Sequence, residues 1–301
     1  AEVILYEWDE VEIVWTEQDR SRFDSVQALA RDVKLHGYYG GLRLIKATIK
    51  KFVEYCEAQK LELHERNFSI RYQSTVPRQV GLAGSSAIIV ATLRCLMDFY
   101  DVEIPLEVQP SLVLSVENDE LGITAGLQDR VIQVYEGLVF MDFAREQKQE
   151  QCGFEHYRYE SLDVNSLPPV YLAFSTEEGE PTEIFHNDIR ARYESGEEKV
   201  VQAMKRCADL VLEAKEALEE GDWQKLSRAI DENFDTRRSI YRLPQGQVRM
   251  VETARSVGAS AKFASSCGAI VWVYFDEERF AQLEQALGRL GCCVIKPMIH
   301  S

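Results

Sequence analysis

The segment from Phe68 to Tyr100 constrains this chain more than any other. Phe68 to Tyr72 alternates as a strand, residues 74 to 84 form a polar loop containing glycines, and Ser85 to Tyr100 is an apolar helix that follows directly. Its centre reads Pro77-Arg78-Gln79-Val80-Gly81-Leu82-Ala83-Gly84-Ser85-Ser86-Ala87. The glycines let the backbone approach a ligand closely. The first-turn amides of the helix point outward unpaired, and the helix dipole favours negative charge there. The segment therefore has the chemistry of an anion cradle. Ser85 and Ser86 add hydroxyls that can bond a phosphate oxygen or coordinate Mg²⁺. The same residues suit a plain serine N-cap after a glycine loop, and on composition alone that common device is favoured. No Lys follows the second glycine, so the P-loop pattern is excluded.

Two further clusters carry chemistry. In the first, Glu117 lies near the end of one helix, and Asp129 lies in the first turn of the next, after Gly126. Two carboxylates brought together by such a turn can serve a metal ion and a substrate hydroxyl. Asp119 and Glu120 between them read as ordinary solvated acids. Asp129 sits between apolar Leu127 and Val131 beside Arg130, where an ion pair can hold it. In the second cluster, Gly258 to Ala269 is a small-residue turn between two strands, suited either to close backbone approach or to a simple hairpin loop.

The remaining pattern is mixed. Residues 2 to 16 read as a β-hairpin around Trp8-Asp9-Glu10. Helices fit 24 to 35, the stretch after the glycine-rich entry 37 to 41, 108 to 119 and 127 to 135, and Leu138 to Phe143 reads as a strand. The polar region from about 145 to 168, ending in Pro168-Pro169, marks a domain boundary. Beyond it come a strand from Pro169 and long charged helices over 186 to 220 and 223 to 241. The chain then closes as a short helix, strand, turn, strand, helix and strand. That ending gives an antiparallel sheet backed by helices, an α+β pattern.

Composition removes whole classes of function. The 301 residues carry a net charge of −16 and an apolar fraction of 46%. A core is affordable, while the mean field repels nucleic acid and anionic membranes. No apolar run approaches the ~20 residues of a membrane span. Seven cysteines, irregularly spaced and without a CxxC pair, fit free cytoplasmic thiols better than disulfides or zinc. The chain begins without Met, already in a strand-like pattern, so a segment is expected upstream.

Taken in order, Pro77 to Ala87, the Gly-x-x-x-Gly-x-Gln-Asp segment of Gly122 to Asp129, and Lys262 to Gly268 resemble the second motif, the catalytic-Asp segment of the sugar-kinase branch and the third motif of the GHMP kinase superfamily. The first carries one extra small residue, and in the last Ser265 and Cys267 replace glycines. Within the superfamily the likeness is greatest to the plant-type glucuronokinase branch. It extends to Gly37-Tyr38-Tyr39-Gly40-Gly41, Gly137-Leu138-Val139, Asn233-Phe234-Asp235 with Arg237-Arg238, and Met250-Val251-Glu252.

The resemblance implies an α+β, two-domain fold. A ribosomal-S5-like nucleotide-binding domain would span residues 1 to 155, lacking the family's first strand and motif, and a ferredoxin-like domain 156 to 301. It implies ATP-dependent phosphorylation of the anomeric hydroxyl of D-glucuronate. Gly81, Leu82, Ala83, Gly84, Ser85, Ser86 and Ala87 would cradle the triphosphate, Ser86 with Glu117 would hold Mg²⁺, and Asp129 would act on the sugar hydroxyl. Ser266 and Gly268 would lie beside the substrate. The carboxylate of a sugar acid asks for an arginine, with Arg130, Arg237 and Arg238 as candidates. Another sugar (heptose, fucose or galacturonate) and a non-catalytic binding protein of the same fold are the alternatives. A sugar 1-phosphate is the natural substrate of a nucleotidyltransferase, so fusion to or coupling with one is also expected.

Overall fold

The computed structural model describes residues 1–16, 19–36, 42–77, 80–175, 183–265, 268–273, 276 and 279–299. The chain forms two compact units. The first comprises residues 1–76 and 83–162, and the second Pro77–Leu82 with 163–301.

The first unit is built on a four-stranded sheet of β1 (Glu2–Trp8), β2 (Val11–Thr16), β3 (Asp19–Phe23) and β4 (Asn67–Gln73), in the order β1-β4-β2-β3. The expected hairpin of residues 2 to 16 does not form. β4 enters between its two arms, antiparallel to β1 with Leu5 opposite Ile70, and parallel to β2 with Ile13 opposite Ile70. The hairpin is instead β2–β3. Alternating apolar residues identify strands but not partners, and the partner here lies about fifty residues downstream.

Helices α1 (Val26–His36), α2 (Arg43–Gln59), α3 (Gly84–Tyr100), α4 (Gln109–Ser115) and α5 (Leu127–Tyr135) complete this unit. Ile45, Ile49, Phe52, Val53 and Cys56 recur along α2 at helical spacing and are buried with Phe68 and Ile70 of β4 and Ile89, Leu93 and Leu96 of α3. Both α2 and α3 stop at a residue in the left-handed conformation, Lys60 and Asp101, whose amides close back on the last turn.

The polar stretch expected to hold the domain boundary contains secondary structure. β5 (Leu138–Asp142) pairs with β8 (Arg158–Leu162), and β6 (Gln149–Gln151) forms a hairpin with β7 (Phe154–His156). Cys152 and Gly153 turn that hairpin with φ of 54° and 82°, the positive pair that a two-residue turn demands. The division at 155/156 would cut through these pairings, and the first unit runs on to Leu162.

In the second unit, β9 (Val170–Ser175), β10 (Ser260–Phe263), β11 (Ala269–Val273) and β12 (Cys292–Ile295) form an antiparallel sheet in the order β10-β11-β9-β12. The helices are α6 (Glu183–Glu194), α7 (Glu198–Glu220), α8 (Trp223–Ile240), α9 (Gln245–Ser256) and α10 (Phe280–Gly288). Tyr171 stacks on Trp272 with ring centroids 4.2 Å apart, and on Phe280 at 4.8 Å. Ala254, Leu283 and Leu287 belong to the same core. A smaller apolar cluster joins Val80 to Phe174 and Ala269, with Leu82 and Ala264 against it. The glycine-rich stretch 37–41 lies outside the described residues. Among the described residues no helix is long and apolar enough to cross a membrane, and the six cysteines are free.

Candidate active site

The residues expected to form the site fall into two groups, one in each unit. In the first unit, α3 starts immediately after Ala83, which adopts a left-handed conformation with φ 52° and ψ 36°. A non-glycine residue there costs about 1–2 kcal/mol and is a feature of functional loops. A Cβ on Gly84 would lie 3.3 Å from Cγ1 of Val76, so the entry is tight.

Neither serine caps the helix. Ser85 donates its hydroxyl to Oε1 of Glu117 at 2.8 Å. Ser86, fully buried, donates to the carbonyl of Ala83 at 3.0 Å. The N-cap position is held by Ala83, which makes no side-chain cap bond. Of the two serines it is Ser85 that bonds Glu117, while Ser86, expected to hold Mg²⁺ with Glu117, turns its hydroxyl to the helix backbone. Adjacent helix residues point about 100° apart, and residue types alone do not set that phase.

Glu117 is carried by a π-helical turn, Val116–Glu120, that continues α4. Such turns insert an extra residue and recur at functional sites. The amide of Ile123 closes on the carbonyl of Glu117 at 2.8 Å, and Asn118 accepts the amide of Ala125 at 3.0 Å. Glu120 anchors the far end on Lys50 of α2.

The Glu117 carboxylate has no solvent exposure. It accepts Arg130 Nε at 2.6 Å and Arg130 Nη2 as a second bond. Arg130 Nη1 donates to the carbonyl of Gly126 at 3.1 Å and lies 3.6 Å from Asp129 Oδ2. The guanidinium of Arg130, one of three candidates for a substrate carboxylate, is therefore engaged internally. Asp129, in the first turn of α5, keeps 28% of its side chain exposed. The two carboxylates thus have opposite settings: Glu117 is buried and bonded on both oxygens, and Asp129 is accessible.

In the second unit, Gly268 has a φ of +93°, and a Cβ there would stand 2.6 Å from the carbonyl carbon of Val80, 2.7 Å from its oxygen and 3.0 Å from the amide of Gly81. Gly268, just before β11, therefore lies directly against the backbone of Val80 and Gly81. Arg237, in the last turn of α8, donates Nη1 to the carbonyl of Ser265 at 3.0 Å. Its guanidinium carbon lies 5.6 Å from the ring centres of both Tyr241 and Phe263. Arg238 pairs with Glu252 at 2.8 Å, both about half exposed.

Lys262 donates to the carbonyl of Phe263 at 2.9 Å. Burial pushes its ammonium down to about 8, the charge of Arg237 adds to the fall, and Cys207 opposes it. Sequence reading named Lys262 only as a motif residue. Its proximity to Arg237 depends on β10 packing beside α8, which no local pattern reveals. Arg78, Gln79, Ser266, Cys267, Tyr38 and Tyr39 lie outside the described residues.

Comparison with known proteins decides the family. Residues 43–137 match the family model described as the GHMP kinases N terminal domain. The chain is 43% identical over 258 residues to Glucuronokinase 1 of Arabidopsis thaliana, covering 84% of this chain and 70% of that one. The chain belongs to the GHMP kinase superfamily. This kinase is also 42% identical over 259 residues to Probable glucuronokinase 2 of the same plant, covering 84% of this chain and 69% of that one. Among solved structures it superposes on a Lin0012 protein from Listeria innocua with a TM-score of 0.76 at 14% identity, covering 99% of this chain and 87% of that one. The fold is the expected α+β fold of the superfamily, and the enzyme is a sugar-kinase phosphotransferase.

Proposed function

We propose that this kinase transfers the γ-phosphoryl group of ATP to the anomeric hydroxyl of D-glucuronate, giving D-glucuronate 1-phosphate and ADP. The observation that carries the reading is the 42–43% identity, over 84% of the chain, to two proteins named as glucuronokinases. The arrangement around Glu117 is consistent with it.

Gly81 to Ala87 bind the triphosphate through backbone amides of the loop and of the α3 N-terminus. A hydroxyl and a carboxylate oxygen 2.8 Å apart, from Ser85 and Glu117, are the hard oxygen donors that Mg²⁺ takes. Bound there, the ion would neutralise charge on the phosphates. Asp129, the accessible carboxylate, orients the sugar hydroxyl and receives its proton as that oxygen attacks the γ-phosphorus. The bond to the β-bridging oxygen breaks and ADP departs. Arg130 holds Glu117 in place through two hydrogen bonds, while Gly268 and Ser266 border the substrates. The product is of the class that nucleotidyltransferases consume, and coupling or fusion to such an enzyme belongs to this proposal. The free thiols fit the cytoplasm as its location.

An ADP-release assay with ATP and Mg²⁺ across a sugar panel tests the reading. Turnover is expected with glucuronate and not with its neutral counterparts. A preference for heptose, fucose or galacturonate would reassign the substrate, and equal rates with neutral sugars would refute the carboxylate argument.

A further inference from the structure

Arg237 invites assignment as the ligand of a substrate carboxylate, but its contacts point elsewhere. Its Nη1 donates to the main-chain carbonyl of Ser265, and its guanidinium packs near two aromatic rings, Tyr241 and Phe263. Lys262 donates to the preceding carbonyl but one, that of Phe263. Two cations thus grip alternate carbonyls at the end of β10. The amide of Ala264 closes the same turn on the carbonyl of Ala269 at 3.0 Å. On its far side, Gly268 lies against Val80 and Gly81 with no room for a methyl group. Arg237 thus holds Ser265 at one end of this turn, the Ala264–Ala269 bond joins its two strands, and Gly268 at the other end abuts Val80 and Gly81.

We infer that Arg237 is a positioning residue for nucleotide binding. It fixes the β10–β11 turn, which in turn sets the backbone of Val80 and Gly81 where that loop approaches phosphate. Cations in the last turn of a helix are favoured by its dipole, and Arg237 occupies that position on α8. A pair of cations used on carbonyls of one turn is a device for holding backbone. The inference rests on the proposed phosphate role of Gly81 and its neighbours.

The test compares Arg237→Gln and Arg237→Lys with the wild type. Dissociation constants for ADP and a non-hydrolysable ATP analogue are measured by calorimetry, and KM for glucuronate and kcat by ADP release. Loss of a charge-assisted hydrogen bond predicts a roughly tenfold weaker nucleotide for Arg237→Gln. Arg237→Lys, which keeps a donor, recovers part of it, while the sugar KM stays within about twofold. Gly268→Ala perturbs the same turn from its other side, so the double variant with Arg237→Gln loses less than the two single losses combined. A raised sugar KM with unchanged nucleotide affinity would make Arg237 a substrate ligand and overturn the inference, as would no change in either. Absence of turnover with every sugar would refute the proposed function, while the nucleotide series would still judge Arg237.

Discussion

The tight backbone approach at Gly268 gives the sharpest test, the substitution Gly268→Ala. The new methyl would stand 2.6 Å from the carbonyl carbon of Val80 and 2.7 Å from its oxygen. Carbon atoms in contact prefer ~3.5–4.0 Å, so the overlap is about 1 Å. Every obstructing atom is main chain, so no rotamer change relieves it. The cost has two parts. A side chain held at a φ of +93° is strained by about 1–3 kcal/mol. Overpacking against a fixed backbone adds about 1–3 kcal/mol.

Gly258 separates the two parts. Its φ is +94°, yet nothing lies within 4 Å of where its Cβ would stand. Gly258→Ala carries the backbone strain without the collision. Chemical denaturation of both variants should place Gly268→Ala below Gly258→Ala by about 1–3 kcal/mol. Calorimetry should show weakened nucleotide binding in Gly268→Ala alone, because only there does relief of the clash displace Val80 and Gly81. Equal destabilisation and equal nucleotide affinity in the two variants would refute the argument.

Three other expectations follow from the same geometry. Ser85→Ala should weaken Mg²⁺ binding and lower kcat by about 10- to 100-fold at fixed metal, while Ser86→Ala should act mainly on the melting temperature; a metal titration of each variant compares them. Arg130→Met leaves Glu117 buried without its cation and should cost about 3–5 kcal/mol, read by denaturant unfolding. Lys262→Met should be more stable than wild type at pH 7. A lysine pushed from 10.5 to about 8 binds fewer protons folded than unfolded within that interval. The wild type therefore gains on the variant as pH rises from about 8 to 10.5, by at most ~3 kcal/mol, and denaturation of both proteins across that range gives the difference.

Much of this architecture was readable along the chain, and the failures share a cause. Helix α3 follows from an apolar run behind a glycine loop, and α2 from Ile45, Ile49, Phe52 and Val53 at helical spacing. Both are local signals. The β1–β2 hairpin was misread because Asp9 and Glu10 supply a turn, while β4, which separates the strands, is distant in sequence. Gln149 to Gln151 were missed because a strand of exposed polar residues has no apolar alternation. In the site, the carboxylates and serines were identifiable by type. Which serine reaches Glu117, and whether Arg130 faces ligand or carboxylate, depends on helix phase and on a π-helical turn. The glycine-loop residues were legible as a motif, yet the backbone contact against Val80 and Gly81 belongs to Gly268, almost two hundred positions later.

That separation has a bearing on how the protein is made. Pro77–Leu82 packs with the second unit although the chain on either side of it belongs to the first. Ala269, one of the residues that buries Val80, follows it by 189 positions. At ~5–20 residues per second a ribosome needs about 10–40 s to cover that distance. The hexapeptide must wait in the nascent chain, its valine and leucine uncovered, until the strands that enclose it emerge. A fragment beginning at residue 163 would be born without the piece that completes its own apolar cluster.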